Sequence, residues 1–237
     1  MFLAWFSDLK FASELAAIDG ANFKSTTLER APGQKLRRGY HHGNLKEALI
    51  EAALSLISAK GPGGFTFAEA ARQAGVSPAA PYRHFRDRDA LMAEVARRGY
   101  EQFEKALAEA WNGGKPEPAR ALIAVGRAFL AFARNEPASY AAMFESGVPV
   151  SSDPSLHTAA ERAFAVLREA VAAVVATLPG DERPPVTMMA LHMWSQAHGI
   201  ASLFGRADAA RRPIPMSPED LLEAATLIYL RGVGKQS

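Results

Sequence analysis

The sequence predicts an all-α protein: a three-helix helix-turn-helix domain near the N-terminus and a larger helical C-terminal domain. Three observations carry this. Apolar residues recur at i, i+3 and i+4 along nearly every run between breakers. The runs are bracketed by Ser, Thr, Asp or Asn at one end and by Gly or Pro at the other. No stretch alternates apolar and polar residues between hairpin turns.

Composition sets the outer limits. At 237 residues the chain can hold a small module and a domain with its own core. It has no cysteine, which removes disulfides and thiolate metal sites and fits a reducing cytoplasm. No apolar run approaches the ~18 residues of a membrane span, so no membrane partner is expected. The formal net charge of +2 is unevenly spread: residues 30–100 carry +6, while 1–29 and 101–237 each carry −2. Positive charge gathered on one module is the footprint of a phosphate-binding surface.

Residues 1–29 are apolar at helical spacing (Phe2, Trp5, Phe6, Leu9, Ala12) and lack the basic start and long apolar centre of a signal peptide. They fit an extension, a translation start set too early, or a helix that docks on the body or a partner subunit. Too few cations line the polar face for a membrane-surface role. Residues 30–42, RAPGQKLRRGYHH, hold no acidic residue. In such a basic arm, Arg37 and Arg38 can follow a nucleic-acid backbone or enter a minor groove. His41 and His42 have no third ligand at metal spacing, so no metal is expected. The domains are therefore 1–42, extension and arm; 43–103, helix-turn-helix; and 104–237, C-terminal domain.

Asn44 is placed to cap the first helix, whose stripe of Leu45, Ala48, Leu49, Ala52, Ala53, Leu56 and Ile57 faces one side. Gly61-Pro62-Gly63-Gly64 ends it, and the stripe is expected to bury against Phe67, Val76 and Phe85. Residues 66–85, TFAEAARQAGVSPAAPYRHF, read as two short helices joined by a tight turn. Thr66 and Glu69 form a capping box, Phe65 is placed to staple against Ala70, and Gly75 supplies a left-handed stop. Ser77 can cap the second helix, with Pro78 in its first position. Helix, Gly-containing turn and helix together form the DNA-binding helix-turn-helix signature. The second helix starts small, at Ala79 and Ala80, which permits close entry into a major groove. It ends on Tyr82, Arg83 and His84, whose polar groups reach phosphates and base edges.

Asp87 or Asp89 can cap a long helix stopped by Asn112-Gly113-Gly114, a mechanical link between the domains. Helices follow at 118–135, 138–146, 156–178, 186–205 and 218–231. The C-terminal domain is rich in large soft residues: Phe103, Phe129, Phe132, Tyr140, Met143, Phe144, Phe164, Met188, Met189, Met193, Trp194 and Phe204. Such residues line pockets between helices, and core packing is the plain alternative for each. Trp194 and His198 share a helix face, and Gly199 permits close approach of another helix. His198 either hydrogen-bonds a ligand or is a structural histidine satisfied by a backbone carbonyl.

The segment GVSPAAPYRHFRDRDAL resembles the TetR/AcrR family of transcriptional regulators: Gly-Val-Ser, four residues, Tyr-x-His-Phe, a charged run and Ala-Leu. Trp194-Ser-Gln-Ala-His198-Gly199 is similar to the Trp-His-Gly motif of one subgroup's C-terminal domain. The resemblance implies a homodimer whose last two helices, here at about 186–205 and 218–231, pair into a four-helix bundle. Such a dimer binds a palindromic operator in double-stranded DNA, with half-sites one helical turn apart or slightly more. It also implies backbone contacts from Tyr82 and His84, phosphate contacts from Thr66 and Arg88, and Phe85 as a core anchor. Pro81 before the Tyr, and alanines where base readers often sit, depart from the family pattern and shift weight to Arg83 and DNA shape.

The function implied is cytoplasmic repression without a cofactor, relieved when a small, largely apolar effector binds between helices of the C-terminal domain. A constitutive DNA binder whose second domain only dimerises or binds a protein is the alternative. An enzyme is not expected. His157, His192 and His198 are the best candidates, but the last two stand about 240° apart around a helix. No His-Glu-x-x-His, phosphate-loop or Gly-x-Ser-x-Gly motif occurs.

Overall fold

A computed structural model describes residues 45–180, 183–205 and 216–233, all within the compact unit His41–Ser237. The readings made on 1–44, including Arg37, Arg38 and the Asn44 cap, and on 206–215 lie outside the described residues. The helices are α1 (Leu45–Lys60), α2 (Phe67–Gln73), α3 (Arg88–Trp111), α4 (Pro118–Asn135), α5 (Pro137–Phe144), α6 (Pro154–Ala176), α7 (Val186–Gly205) and α8 (Pro218–Val233). Among the described residues there is no strand.

The local signals act as their chemistry dictates. In α1, Leu49, Ile50, Ala52, Ala53, Leu56 and Ile57 are buried, and the helix stops at Gly61 with φ +77°. Phe85 is buried beneath it, while Phe67 and Val76 are half-buried. At the start of α2 the amide of Glu69 donates to Thr66 Oγ1 at 3.2 Å, and the Thr66 amide donates to Glu69 Oε2 at 2.8 Å. At its end Gly75 takes φ +73°. The Val76 amide donates to the Ala71 carbonyl and the Gly75 amide to Arg72, which satisfies carbonyls the helix would leave bare.

The expected second α-helix of the motif is instead a 3-10 turn, Ala80–Arg83, and Ser77 does not cap it. Pro81 explains the difference. It has no N–H to donate to the Ser77 carbonyl one α-turn back, so the Ala80 amide takes that carbonyl at 3.0 Å and the turn tightens. Pro81 is itself buried and fixes the turn against α1 and α2.

Asp87 Oδ1 accepts the Ala90 amide at 2.8 Å and opens α3, which ends at Asn112 in the left-handed region. The boundary drawn at 103/104 falls inside this helix. Its first half packs on α1, and its length packs on α4, α5 and α6. α5 packs tightly on Gly99: a Cβ there would lie 2.8 Å from Met143 Sδ. Around α3 the body closes with α7 against α4 and α6, and with α8 against α4 and α7. Phe103, Leu107, Leu156, Met189 and Val171 at its centre are fully buried. Burying each such side chain contributes about 1.5–3 kcal/mol.

Candidate nucleic-acid interface and body cavity

The turn from α2 to α3 presents a continuous exposed surface. Thr66, Ser77, Pro78, Ala79, Tyr82, Arg83 and His84 are exposed and Ala80 is half-buried, while Pro81 and Phe85 point inward. Tyr82 is 63% exposed, yet its ring stands edge-on to Phe67 at 5.1 Å, so its hydroxyl is presented on a fixed support. Glu69 is engaged below this surface. A hydrogen bond from Lys60 and one from the Thr66 amide hold its carboxyl well down, at about 2.

Arg88 is placed differently from the rest of the set. Its guanidinium donates to the Phe65 carbonyl at 3.0 Å and to the Pro62 carbonyl, and lies 4.8 Å over the Phe65 ring. This cation pins the loop before α2 onto the start of α3, and little of its donor capacity remains for a ligand.

A charge network ties α1 to α3 and α6. Glu94 accepts from Lys46 at 2.9 Å, Arg97 at 2.8 Å and Arg98 at 3.2 Å, while Arg98 also pairs with Glu47. Arg97 reaches Glu101 at 2.6 Å, and Arg162 of α6 lies 3.0 Å from Glu104. Burial alone would raise the Glu94 carboxyl; Arg97 and Lys46 outweigh it and hold the group at about 2.

In the body, the large aromatic residues come together and fill their own space. Phe103 contacts Phe129 and Phe132 with ring centroids at 5.0 Å, and Trp194 packs on Phe103, Phe129, Phe144 and Phe164 at 5.4–6.1 Å. Met143, Met189 and Met193 are buried. The gap left beside Phe129, Met193 and Trp194 is about 20 Å³, room for about one water and no effector.

The larger space lies to one side. A cavity of about 560 Å³ opens between the end of α4, α5, the end of α7 and the start of α8. Leu130, Ala133, Pro137, Ala141, Ala201 and Phe204 line it, with Tyr140, Arg134, Glu145 and Ser202 as its polar groups. Of the large residues named from sequence as pocket candidates, Tyr140 and Phe204 form part of this wall, and the others do not. His198 stands behind Tyr140, whose hydroxyl lies 2.7 Å from His198 Nδ1; the expected backbone carbonyl is not its partner. Burial, with Glu145 nearby, pushes the Tyr140 phenol above its ordinary value. Arg134 is held by Glu219 at 2.5 Å.

Sequence reasoning missed the cavity because its walls are small. Ala133, Ala141, Ala201 and Gly205 leave volume by what they lack, whereas a search for pocket residues finds what is large. Facing alanines at the ends of three helices were the available signal.

On α7, Gly199 meets no other helix: nothing lies within 4 Å of a Cβ placed there. It sits on an exposed face with Met188, Leu191, Ser195 and Leu203, and Ile228 of α8 is also exposed. Among the described residues no three His, Cys, Asp or Glu side chains are grouped to hold a metal, and no helix is long and apolar enough to cross a membrane. His192 lies 3.1 Å from the Tyr229 hydroxyl.

Comparison with known proteins agrees with this geometry. Residues 49–95 match the family described as bacterial regulatory proteins, tetR family, and residues 122–227 match the tetracyclin repressor-like C-terminal domain. No curated protein matches the sequence. Among solved structures, a protein of unknown function from Rhodococcus sp. RHA1 is 27% identical, with a TM-score of 0.68, covering 84% of this chain and 100% of its own. The TetR family transcriptional regulator PfmR from Thermus thermophilus is 19% identical, with a TM-score of 0.60 and coverages of 80% and 99%. The fatty acid degradation regulator FadR from Bacillus halodurans shares the fold at 10% identity, with a TM-score of 0.63 and coverages of 79% and 95%.

Proposed function

The chain is a TetR-family transcriptional regulator, and we propose that it works as a cytoplasmic homodimeric repressor released from a palindromic operator by a small, largely apolar ligand. The observation that carries the reading is the exposed set Tyr82, Arg83 and His84, held on a support of buried Pro81 and Phe85. Hydroxyl, guanidinium and imidazole groups on one rigid turn suit phosphates and base edges together. The exposed apolar face of α7 and α8 supports a two-fold dimer, because Leu191, Leu203 and Ile228 would leave water on pairing.

The effector site we propose is the cavity walled by Tyr140 rather than the aromatic centre, which has no room. Its apolar floor and few polar groups suit a small amphipathic molecule. α5 carries Tyr140 on the cavity and packs Met143 on Gly99 of α3, so a ligand that displaces α5 shifts the helix that bears the reading head. A coupling of about 1–3 kcal/mol is enough to change occupancy 5–150-fold.

Fluorescence anisotropy against the protein's own promoter region, over a salt series, tests this. Saturable binding to one palindromic fragment, weakening steeply with salt and reversed by a screened ligand, is the expected result. Binding that no ligand reverses would favour constitutive DNA binding, and no binding at low salt would refute the DNA-binding reading.

A further inference from the structure

The reading head reveals what it reads through the groups it leaves unengaged. Of its cations, Lys60 and Arg72 face Glu69, Arg86 pairs with Asp87 at 2.8 Å, and Arg88 is bound to the loop carbonyls. Lys46, on α1 beneath, pairs with Glu94. Among the described residues Arg83 has no acidic partner and no hydrogen bond to the chain, and it is exposed at the end of the turn.

Ahead of Arg83 the exposed residues are Ser77, Pro78, Ala79 and Tyr82, of which Pro78 and Ala79 form the apolar part. Pro78 and Ala79 have no side-chain donor or acceptor, so they cannot tell bases apart by hydrogen bonding. The thymine C5-methyl is the apolar group that base pairs display in the major groove, and small apolar side chains contact it. Charged flanks with an apolar tip therefore select for methyls under the tip and for one polar base edge at its rim.

We infer that the head selects its half-site by packing Pro78 and Ala79 against thymine methyl groups, while Arg83 reads one guanine through O6 and N7. This rests on the DNA-binding reading above and narrows it to a base chemistry. The tight turn enforced by Pro81 favours such a mode. It sets Ala79 as the cap and Arg83 as the last residue of one short turn, with Ala79 in ordinary right-handed conformation at φ −84° and ψ −20°.

The test uses the full chain and a pool of random duplexes. Duplexes enriched by repeated selection are labelled and their affinity measured by anisotropy at fixed salt. Each thymine is then replaced by deoxyuridine, which removes the methyl and keeps every hydrogen-bonding group. One or two thymines per half-site are expected to lose about threefold to fivefold in affinity. That loss should shrink in Ala79→Gly, whose backbone conformation glycine adopts without strain. Arg83→Ala should abolish preference at one guanine, a roughly 5- to 150-fold effect, and 7-deazaguanine there should weaken the wild type but not the variant. Tight, selective binding in which no thymine responds to deoxyuridine overturns the methyl readout and leaves DNA binding standing. A pool with no enriched sequence overturns the DNA-binding reading and this inference together.

Discussion

The Tyr140 hydroxyl and His198 Nδ1 are 2.7 Å apart, a bond that ties α5 to α7 directly behind the cavity wall. It joins the element that walls the cavity to the one that carries the exposed apolar face. Tyr140→Phe leaves the imidazole without this partner in a half-buried setting. We expect a loss of about 1 kcal/mol by chemical denaturation and an altered ligand response, with ligand-free operator affinity unchanged. Because burial raises the phenol's pKa, its contribution is complete below pH ~10 and is lost as pH rises beyond that. The variant should therefore resist alkaline unfolding better than its neutral-pH stability suggests.

Acid should act on the charge network instead. The Glu94 carboxyl is held at about 2 against an ordinary 4.5, so the stability it contributes is present above pH 4.5 and fades as pH falls toward 2. Glu94→Gln should cost about 2 kcal/mol at neutral pH, because Lys46, Arg97 and Arg98 lose a shared partner. It should also flatten the melting temperature between pH 4.5 and 2. A wild-type slope retained in the variant would show that other carboxylates carry it.

Arg88 and Arg83 should separate stability from recognition. Arg88→Ala uncovers the Phe65 and Pro62 carbonyls and removes the cation from the Phe65 ring, with an expected cost of about 1–2 kcal/mol and weaker DNA binding through a loosened loop. Arg83→Ala should leave the melting curve unchanged and lower operator affinity. Equal melting temperatures for the two variants would contradict this division.

The apolar face of α7 gives a further prediction. Leu191 is 51% exposed in the protomer, and Leu191→Glu places a charge where the proposed dimer would exclude water. Sedimentation should show a monomer with unchanged helical circular dichroism and operator binding weakened by loss of the second head. A variant that remains dimeric would move the interface elsewhere.

Much of this is legible in the chain. The capping box at Thr66 and Glu69, the Gly75 stop, the Asp87 cap and the Pro118 start all lie where the residues predict, because each depends on groups within four or five positions. The 3-10 turn at Ala80 is foreshadowed by Pro81, although the spacing there predicts an ordinary helix. The weight of one missing N–H becomes clear only when its carbonyl partner is identified.

The sequence by itself determined the all-α class, the bounds of the helices outside the Ala80–Arg83 turn to within about two residues and the composition of the reading head, since periodicity and capping are local physics. Only the tertiary structure decided where free volume lies and which charges are engaged. The aromatic residues close on one another and leave the cavity to alanines, and Arg88 is bound by carbonyls 23 and 26 positions away while Arg83 stays available. Volume and pairing are properties of separate helices brought together, and no spacing along one helix encodes them.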